Sequence, residues 1–375
     1  MRILFIGMPD SIHVARWIDQ LRPCGWDLHF FPAYGEPIHP ELRGVTVHDL
    51  EPAEPGSGAP IAFARKLIER IRPDWNDRAH RLARAIARVK PDIVHSLEMQ
   101  HAGYLTMEAR RLLRGFPTWI ISIYGSDIYY FGRFAEHAPK IRDVLAACDS
   151  FVCECRRDIA LAREFGFAGE MWPVLPVTGS FDVRALARHR APGPTSARRT
   201  IALKGYQHWA GRALVGLEAI GLCSDVLRGY RVAVYLGDDV TGAAESLGRA
   251  TGLNIDLVPR SSHDEMLRLH GESRVSIGLS ISDGISTSAL EALVMGSFPI
   301  QSDTSCADEW YVDGVSGMKV PAEDPQAVAA ALRRAVSDDR LVDEAAELNT
   351  GIAAARLDKS VIAPLVIASY ERTGR

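Results

Sequence analysis

The chain lacks any long apolar run. A bilayer span needs roughly 20 consecutive apolar residues, and the nearest stretch, residues 361–369, is short and interrupted by Pro364. Cysteine is sparse: Cys24, Cys148, Cys153, Cys155, Cys223 and Cys306 are all six in 375 residues, and only Cys153 and Cys155 stand close together. That scatter signals neither a disulfide framework nor a zinc site, and a reducing cytoplasm is the simplest home. There is no Gly-x-Gly-x-x-Gly and no P-loop, which argues against a nicotinamide dehydrogenase and against an NTPase. Neither sign of charge dominates, with 43 Lys+Arg against 47 Asp+Glu, which argues against a protein devoted as a whole to nucleic acid. The opening MRILFIGMPDS carries one Arg and an apolar stretch that stops at Pro9-Asp10, without a small-residue cleavage site. It reads as a first buried strand, not as a secretory leader.

What is plentiful is material for buried cores: 47% of the residues are hydrophobic, and the length suits two to three domains. Short apolar runs alternate with longer amphipathic stretches, the pattern of parallel α/β sheets. Residues 2–7, 27–31, 93–96, 118–124, 150–155 and 171–175 form one set of strands. Residues 200–204, 231–236, 255–258, 275–279 and 298–300 form another. Between the sets, residues 189–199 are rich in Pro and Gly and show no periodicity, as a linker does. The expected organisation is a first domain over 1–190, a linker over 191–199 and a second domain over 200–356, with a C-terminal helix over 357–375 completing the first. Ligands of open parallel sheets collect beyond the carboxyl ends of the strands, where strand order reverses. Two such sheets facing each other would enclose a deep cleft.

The most informative segment is residues 280–302, SISDGISTSALEALVMGSFPIQS. The run before it is apolar, Asp283-Gly284 is a turn signal, and Ser288 through Met295 reads as a helix ended by Gly296. Around Gly284, Ile285, Ser286, Thr287 and Ser288 the helix start offers N–H groups and a positive dipole end to phosphate oxygens. Asp283 before the helix and Glu291 inside it place two carboxylates to accept from ligand hydroxyls. The combination suits a sugar joined to a diphosphate. The same residues also fit a Ser288-x-x-Glu291 capping box, with Glu291 returning to the backbone, and an ordinary turn at Asp283. A second element spans residues 200–212, where an apolar strand ends in Lys204 and a polar turn leads to Arg212. The Lys204 ammonium could rest on the diphosphate and Arg212 could add a forked pair of donors, although a plain surface role fits Arg212 as well.

Asp283, Gly284, Glu291, Ala292, Gly296, Pro299 and Ile300 together resemble the acid-Gly…Glu-Ala…Gly-x-Pro signature of retaining glycosyltransferases of the GT-B fold, family 4. The resemblance implies two Rossmann-like parallel-sheet domains facing a cleft, with the first acid on donor-sugar hydroxyls and the second on ribose hydroxyls. The family usually has Glu where Asp283 stands, and relatives carry Gly-Arg before a later Lys where this chain has Lys204 before Arg212. Pro91-Asp-Ile-Val-His95 is similar to the family's strand that ends at the cleft, and Tyr124-Gly-Ser-Asp127 to its His-Gly-x-Asp turn, with Tyr in the place of His. The implied catalytic residues are Asp127, Lys204 and Asp283. Lys204, Arg212, Asp283, Gly284, Ile285, Ser286, Thr287, Ser288 and Glu291 are the implied donor-binding residues. His13, which follows the first strand where many relatives have a Gly-Gly loop, joins His95 and Glu98 on the acceptor side. The spacing of His95, Glu98 and His101 matches no common metal site.

Residues 61–90 hold nine Lys or Arg against Glu69, Asp74 and Asp77, with apolar residues at helical spacing opposite part of that charge. Such a surface suits anionic lipid headgroups at the inner face of a membrane, or simply a solvated helix face. The expectation is an enzyme that moves a sugar from a UDP- or GDP-linked donor to an unidentified acceptor hydroxyl with retention, in polysaccharide or other glycoconjugate synthesis. No metal or other cofactor is expected, because no Asp-x-Asp or ligand-spaced His cluster stands near the proposed site. Two other readings use the same residues: a nucleotide-sugar epimerase of the same architecture and a non-catalytic nucleotide-sugar-binding subunit.

Overall fold

In the computed structural model, which describes residues 1–48 and 77–374, the apolar runs become parallel strands. Contacts divide the chain into two units: Met1–Ser180 with the chain from Ala363 onward, and Phe181–Ile362. The first unit builds one sheet from β1 (Arg2–Gly7), β2 (Asp27–Pro32), β3 (Thr46–Val47), β4 (Ile93–Leu97), β5 (Thr118–Ser122), β6 (Ser150–Val152) and β7 (Glu170–Met171). Its strand order is β3-β2-β1-β4-β5-β6-β7, with every pairing parallel. The second unit builds β8 (Thr200–Lys204), β9 (Arg231–Tyr235), β10 (Asn254–Val258), β11 (Ser273–Gly278), β12 (Phe298–Ser302) and β13 (Met318–Val320), in the parallel order β10-β9-β8-β11-β12-β13. Each chain segment starts in mid-sheet, runs to one edge and then returns to fill the other. The reversal falls between β1 and β4 in one sheet and between β8 and β11 in the other, and such reversals are where ligands of these sheets collect. Two short edge strands, β3 and β13, have no counterpart in the sequence expectation.

The second unit starts earlier than the linker-like composition suggests. Phe181 pairs with the far end of the unit: its N–H donates to the Leu357 carbonyl (2.9 Å) and its carbonyl accepts from Lys359 N–H (2.7 Å). Residues 189–199 are not a free linker, because their side chains close the carboxyl end of the helix Thr287–Met295. Arg190 Nε donates to the Val294 carbonyl (2.8 Å), Arg198 to that of Met295 (3.1 Å) and Thr195 to that of Gly296 (2.8 Å). Thr195 and Arg198 are consequently buried. Four carbonyls at a helix end have no partner inside the helix, and this segment supplies three donors for them.

Of the basic stretch 61–90, residues 61–76 lie outside the described residues. The rest forms the helix Arg78–Val89, capped by Asp77, with Ala79, Leu82, Ala83, Ile86 and Val89 buried and Arg88 and Lys90 exposed. Among the described residues no helix is long and apolar enough to cross a membrane.

The core of the first unit corrects one expectation. His95, placed on the acceptor side by its strand position, has no solvent exposure and lies among Phe5, Trp17, Trp172 and Tyr370. Trp17 Nε1–H donates to the Tyr370 hydroxyl (2.9 Å), that hydroxyl shares a hydrogen bond with His95 Nδ1, and His95 Nε2 meets Ser122 Oγ at 2.6 Å. Both ring nitrogens thus have hydroxyl partners and neither has a carboxylate, which suits a neutral imidazole. Burial pushes the His95 pKa from 6.5 to about 3. Because the folded value lies below the unfolded one, stability is full above pH 6.5 and is lost as pH falls towards 3, where only the unfolded chain takes the proton. His95 alone should therefore contribute a loss on the order of 2 kcal/mol between pH 6.5 and 5. Denaturant melts of wild type and His95→Gln across that range measure it: the variant should be less stable at pH 7 but show the shallower slope. An unchanged slope would mean that the core accepts the proton without opening.

Candidate functional site

At the reversal point of the second sheet, β8 ends in Lys204 and the chain bends sharply. Gly205 N–H donates to the Tyr235 carbonyl (2.8 Å) at the end of β9, and a Cβ on Gly205 would stand 2.5 Å from the Gly237 Cα. Only glycine permits that approach of two backbones. The loop that follows is tied to the end of β11. Gly211 bridges Ser280, Arg212 N–H donates to the Leu279 carbonyl (3.0 Å) and Ile281 N–H to that of Ala210 (2.9 Å). The two loops flanking the reversal thus form one framework.

Onto this framework the helix Thr287–Met295 presents its amino end. Its residues from Ala289 to Met295 are all buried, Gly296 ends it with φ 72°, and no side chain caps its start. Uncapped N–H groups and the positive dipole end make that start a natural anion seat. Lys204 Nζ donates to Ser286 Oγ at the cap position (3.1 Å) and lies 4.7 Å from the centre of the Tyr206 ring. Burial lowers the Lys204 pKa while the charges of Asp283 and Glu291 raise it, so cation and both acids share one neighbourhood. The capping-box alternative for Glu291 is removed by the helix boundary. With Ser286 at the cap, Ser288 is the second helical residue, and Glu291 lies two positions beyond the place where a box's acid falls. Glu291 instead takes a hydrogen bond from His263 Nε2 on Oε1 (2.8 Å).

The other sequence-predicted donor residues have mixed fates. Gly284 is held by a hydrogen bond from Cys306 N–H to its carbonyl (2.7 Å), which anchors the turn that carries Asp283. Ser288 is half-buried at the second helical position, near the Tyr235 phenol, whose pKa burial raises. Thr287 is half-buried at the first helical position. Ile285 offers only backbone, since its side chain is buried in a cluster with Phe181, Leu290, Trp310 and Leu357. Arg212 Nε donates to Glu323 (2.7 Å) and its Nη1 to the carbonyl of Gly211 (2.9 Å), so its guanidinium braces its own loop. Three residues went unforeseen: Tyr206, Tyr235 and His263. A Ser262-x-x-Glu265 capping box, which does form, was the available signal for the helix that begins at His263.

In the first unit, Glu98 and His13 follow the carboxyl ends of β4 and β1, whereas His95 lies within β4, and two of these three predicted acceptor residues do structural work. His95 belongs to the core described above. Glu98, with φ 110°, is corrected from acceptor ligand to turn cap: its carboxylate accepts from the N–H groups of Gln100, His101 (2.9 Å) and Ala102 (3.2 Å). Asp127 is buried, and its Oδ2 accepts from Tyr124 N–H (2.7 Å). Burial first, and then the charge of Glu98, push its pKa above the usual carboxylate range, while the Tyr124 N–H works against them. His13 follows β1 and has its ring 6.2 Å from that of Tyr124. Tyr124, Asp127 and His13 therefore share one edge, after β5 and β1.

Comparisons with known proteins agree with this architecture. Residues 243–350, which contain Asp283, Glu291 and His263, match the family model described as glycosyl transferases group 1. Residues 77–153, which contain Glu98 and Asp127, match glycosyl transferase 4-like. A sequence comparison with curated proteins gives no match. Among solved structures, a sucrose-phosphate synthase from Thermosynechococcus elongatus is similar over 99% of this chain and 99% of its own, at 14% identity and a TM-score of 0.73. HepE of Anabaena, solved with UDP and glucose, is similar over 99% of both chains at 12% identity and a TM-score of 0.73. The α,α-trehalose 6-phosphate synthase of Burkholderia multivorans covers 99% of this chain and 98% of its own, at 13% identity and a TM-score of 0.71. With two glycosyltransferase family matches carried on two parallel sheets of this order, the chain is a glycosyltransferase of the GT-B fold.

Proposed function

We propose that the protein transfers a sugar from a nucleotide diphosphate sugar to an acceptor hydroxyl, with retention at the anomeric carbon, in the assembly of a polysaccharide or other glycoconjugate. The observation that carries this reading is the Lys204 ammonium hydrogen-bonded to Ser286 at an uncapped helix start, with Asp283 and Glu291 beside it. A diphosphate seated there meets Lys204 and the N–H groups of Thr287 and Ser288. Asp283 takes donor-sugar hydroxyls and Glu291 those of the ribose. HepE, which shares the fold, has been solved with UDP-glucose, in support of a nucleotide-sugar donor. When the glycosidic bond breaks, negative charge grows on the departing diphosphate oxygen, where a fixed cation and a helix end stabilise it most. That oxygen then helps to receive the proton of an acceptor arriving on the same face, which leaves the configuration unchanged. Calorimetric titration with UDP- and GDP-linked sugars tests the reading: binding followed by slow release of the sugar to water is expected, and binding of none of them would sink it.

Lys204→Ala should lower kcat roughly a hundredfold or more, about 3 kcal/mol of transition-state stabilisation. Near wild-type turnover of the donor would make Lys204 a bystander. Glu291→Gln should change folding stability by less than about 1 kcal/mol, since it keeps shape, yet weaken donor binding by roughly 1.5 to 3 kcal/mol. Unchanged affinity in a titration would remove the ribose from this helix. We further propose that no metal takes part, the cation and the helix end serving in its place. Full activity is expected in excess chelator, and activity that vanishes and returns with Mn²⁺ or Mg²⁺ overturns this.

A further inference from the structure

His263 is unused by the glycosyl-transfer reading, although it touches one of that reading's two acids. It is the first residue of the helix His263–Glu272, and its backbone is fixed from both sides of the cap. Ser262 Oγ accepts from Glu265 N–H (3.4 Å), and Glu265 Oε2 accepts from Ser262 N–H (2.7 Å). Leu267, one turn on and on the same face, shares an apolar cluster with Ala289 and Leu290 of the helix Thr287–Met295. His270, a further turn along, is buried with Nδ1 on Ser276 Oγ (2.9 Å) and its ring edge-on to Tyr235 at 5.5 Å. The whole face is therefore anchored, and its outermost member reaches Glu291 Oε1 across 2.8 Å. The His263 side chain is 37% exposed and that of Glu291 8%, so the contact lies at the mouth of the site with the carboxylate inside.

We propose that His263 is a positioning residue that holds the Glu291 carboxylate in the orientation that reads the ribose hydroxyls of the donor. The proposal rests on the nucleotide-sugar reading given above. A glutamate side chain has three rotatable bonds, and freezing them during binding subtracts from affinity. A hydrogen bond already made in the free protein moves that cost into folding. It also fixes the plane of the carboxylate, which decides whether one group can accept from two neighbouring hydroxyls. His263 thus improves donor binding without touching the reacting bond.

The test is calorimetric titration of the full chain with UDP, GDP and ADP, then with the 2′,3′-dideoxy form of whichever diphosphate binds tightest, together with donor kinetics. His263→Ala should weaken the ribose form roughly tenfold while leaving the dideoxy form within about twofold of wild type. Donor KM should rise with kcat nearly unchanged, and His263→Gln, whose amide N–H falls near the place of Nε2–H, should recover part of the loss. Thermal melts of both variants establish that they are folded. Equal weakening of both forms would assign His263 a general packing role, and no weakening would make it a bystander. Either result overturns the proposal alone. A wild-type protein that binds none of the three diphosphates, or does not prefer the ribose form, overturns the nucleotide-sugar reading and this proposal with it.

Discussion

A helix buried along its length can show its dipole only at its two ends, and the second unit is arranged around that constraint. The carboxyl end of Thr287–Met295 is closed by Arg190, Thr195 and Arg198, while its amino end is left without a side-chain cap. An uncapped end costs folding free energy. Natural proteins tolerate such costs where a ligand supplies the missing partner. The close approach at Gly205 and Gly237, the ties between the 205–212 and 279–281 loops, and the Lys204–Ser286 bond all serve to aim that open end.

The first unit has a different economy. Its centre is a polar thread, Trp17 to Tyr370 to His95 to Ser122, through an otherwise apolar core. Tyr370 reaches that core from the last helix, so a residue near the end of the chain completes hydrogen bonds begun in the first strands. At the carboxyl edge stand Asp127 and Tyr124 instead, both buried, with burial pushing the pKa of each upward.

Much of this was legible in the sequence because it is written locally. Strand cores, the turn at Asp283-Gly284, the helix stop at Gly296 and Lys204 at a strand end depend on neighbours a few residues away. What was missed depends on partners far along the chain. Arg212 is claimed by Glu323 and Glu291 by His263, contacts that exist only once loops and helices are packed. His95 misled for another reason: β4 is buried on both faces, so no alternation separates an inward polar residue from one that points at a ligand. Residues 189–199 misled by composition, since Pro and Gly set a path without saying whether arginines along it will be buried.

The clamp on the carboxyl end of the site helix also restricts which residue can make it. Burial and the nearby charge of Arg190 bring the Arg198 pKa down to about 10, still far enough above neutrality for the guanidinium to keep its charge in any physiological medium. A lysine's charge is lost more readily on burial than a guanidinium's, so arginine makes the more dependable clamp on this buried helix end.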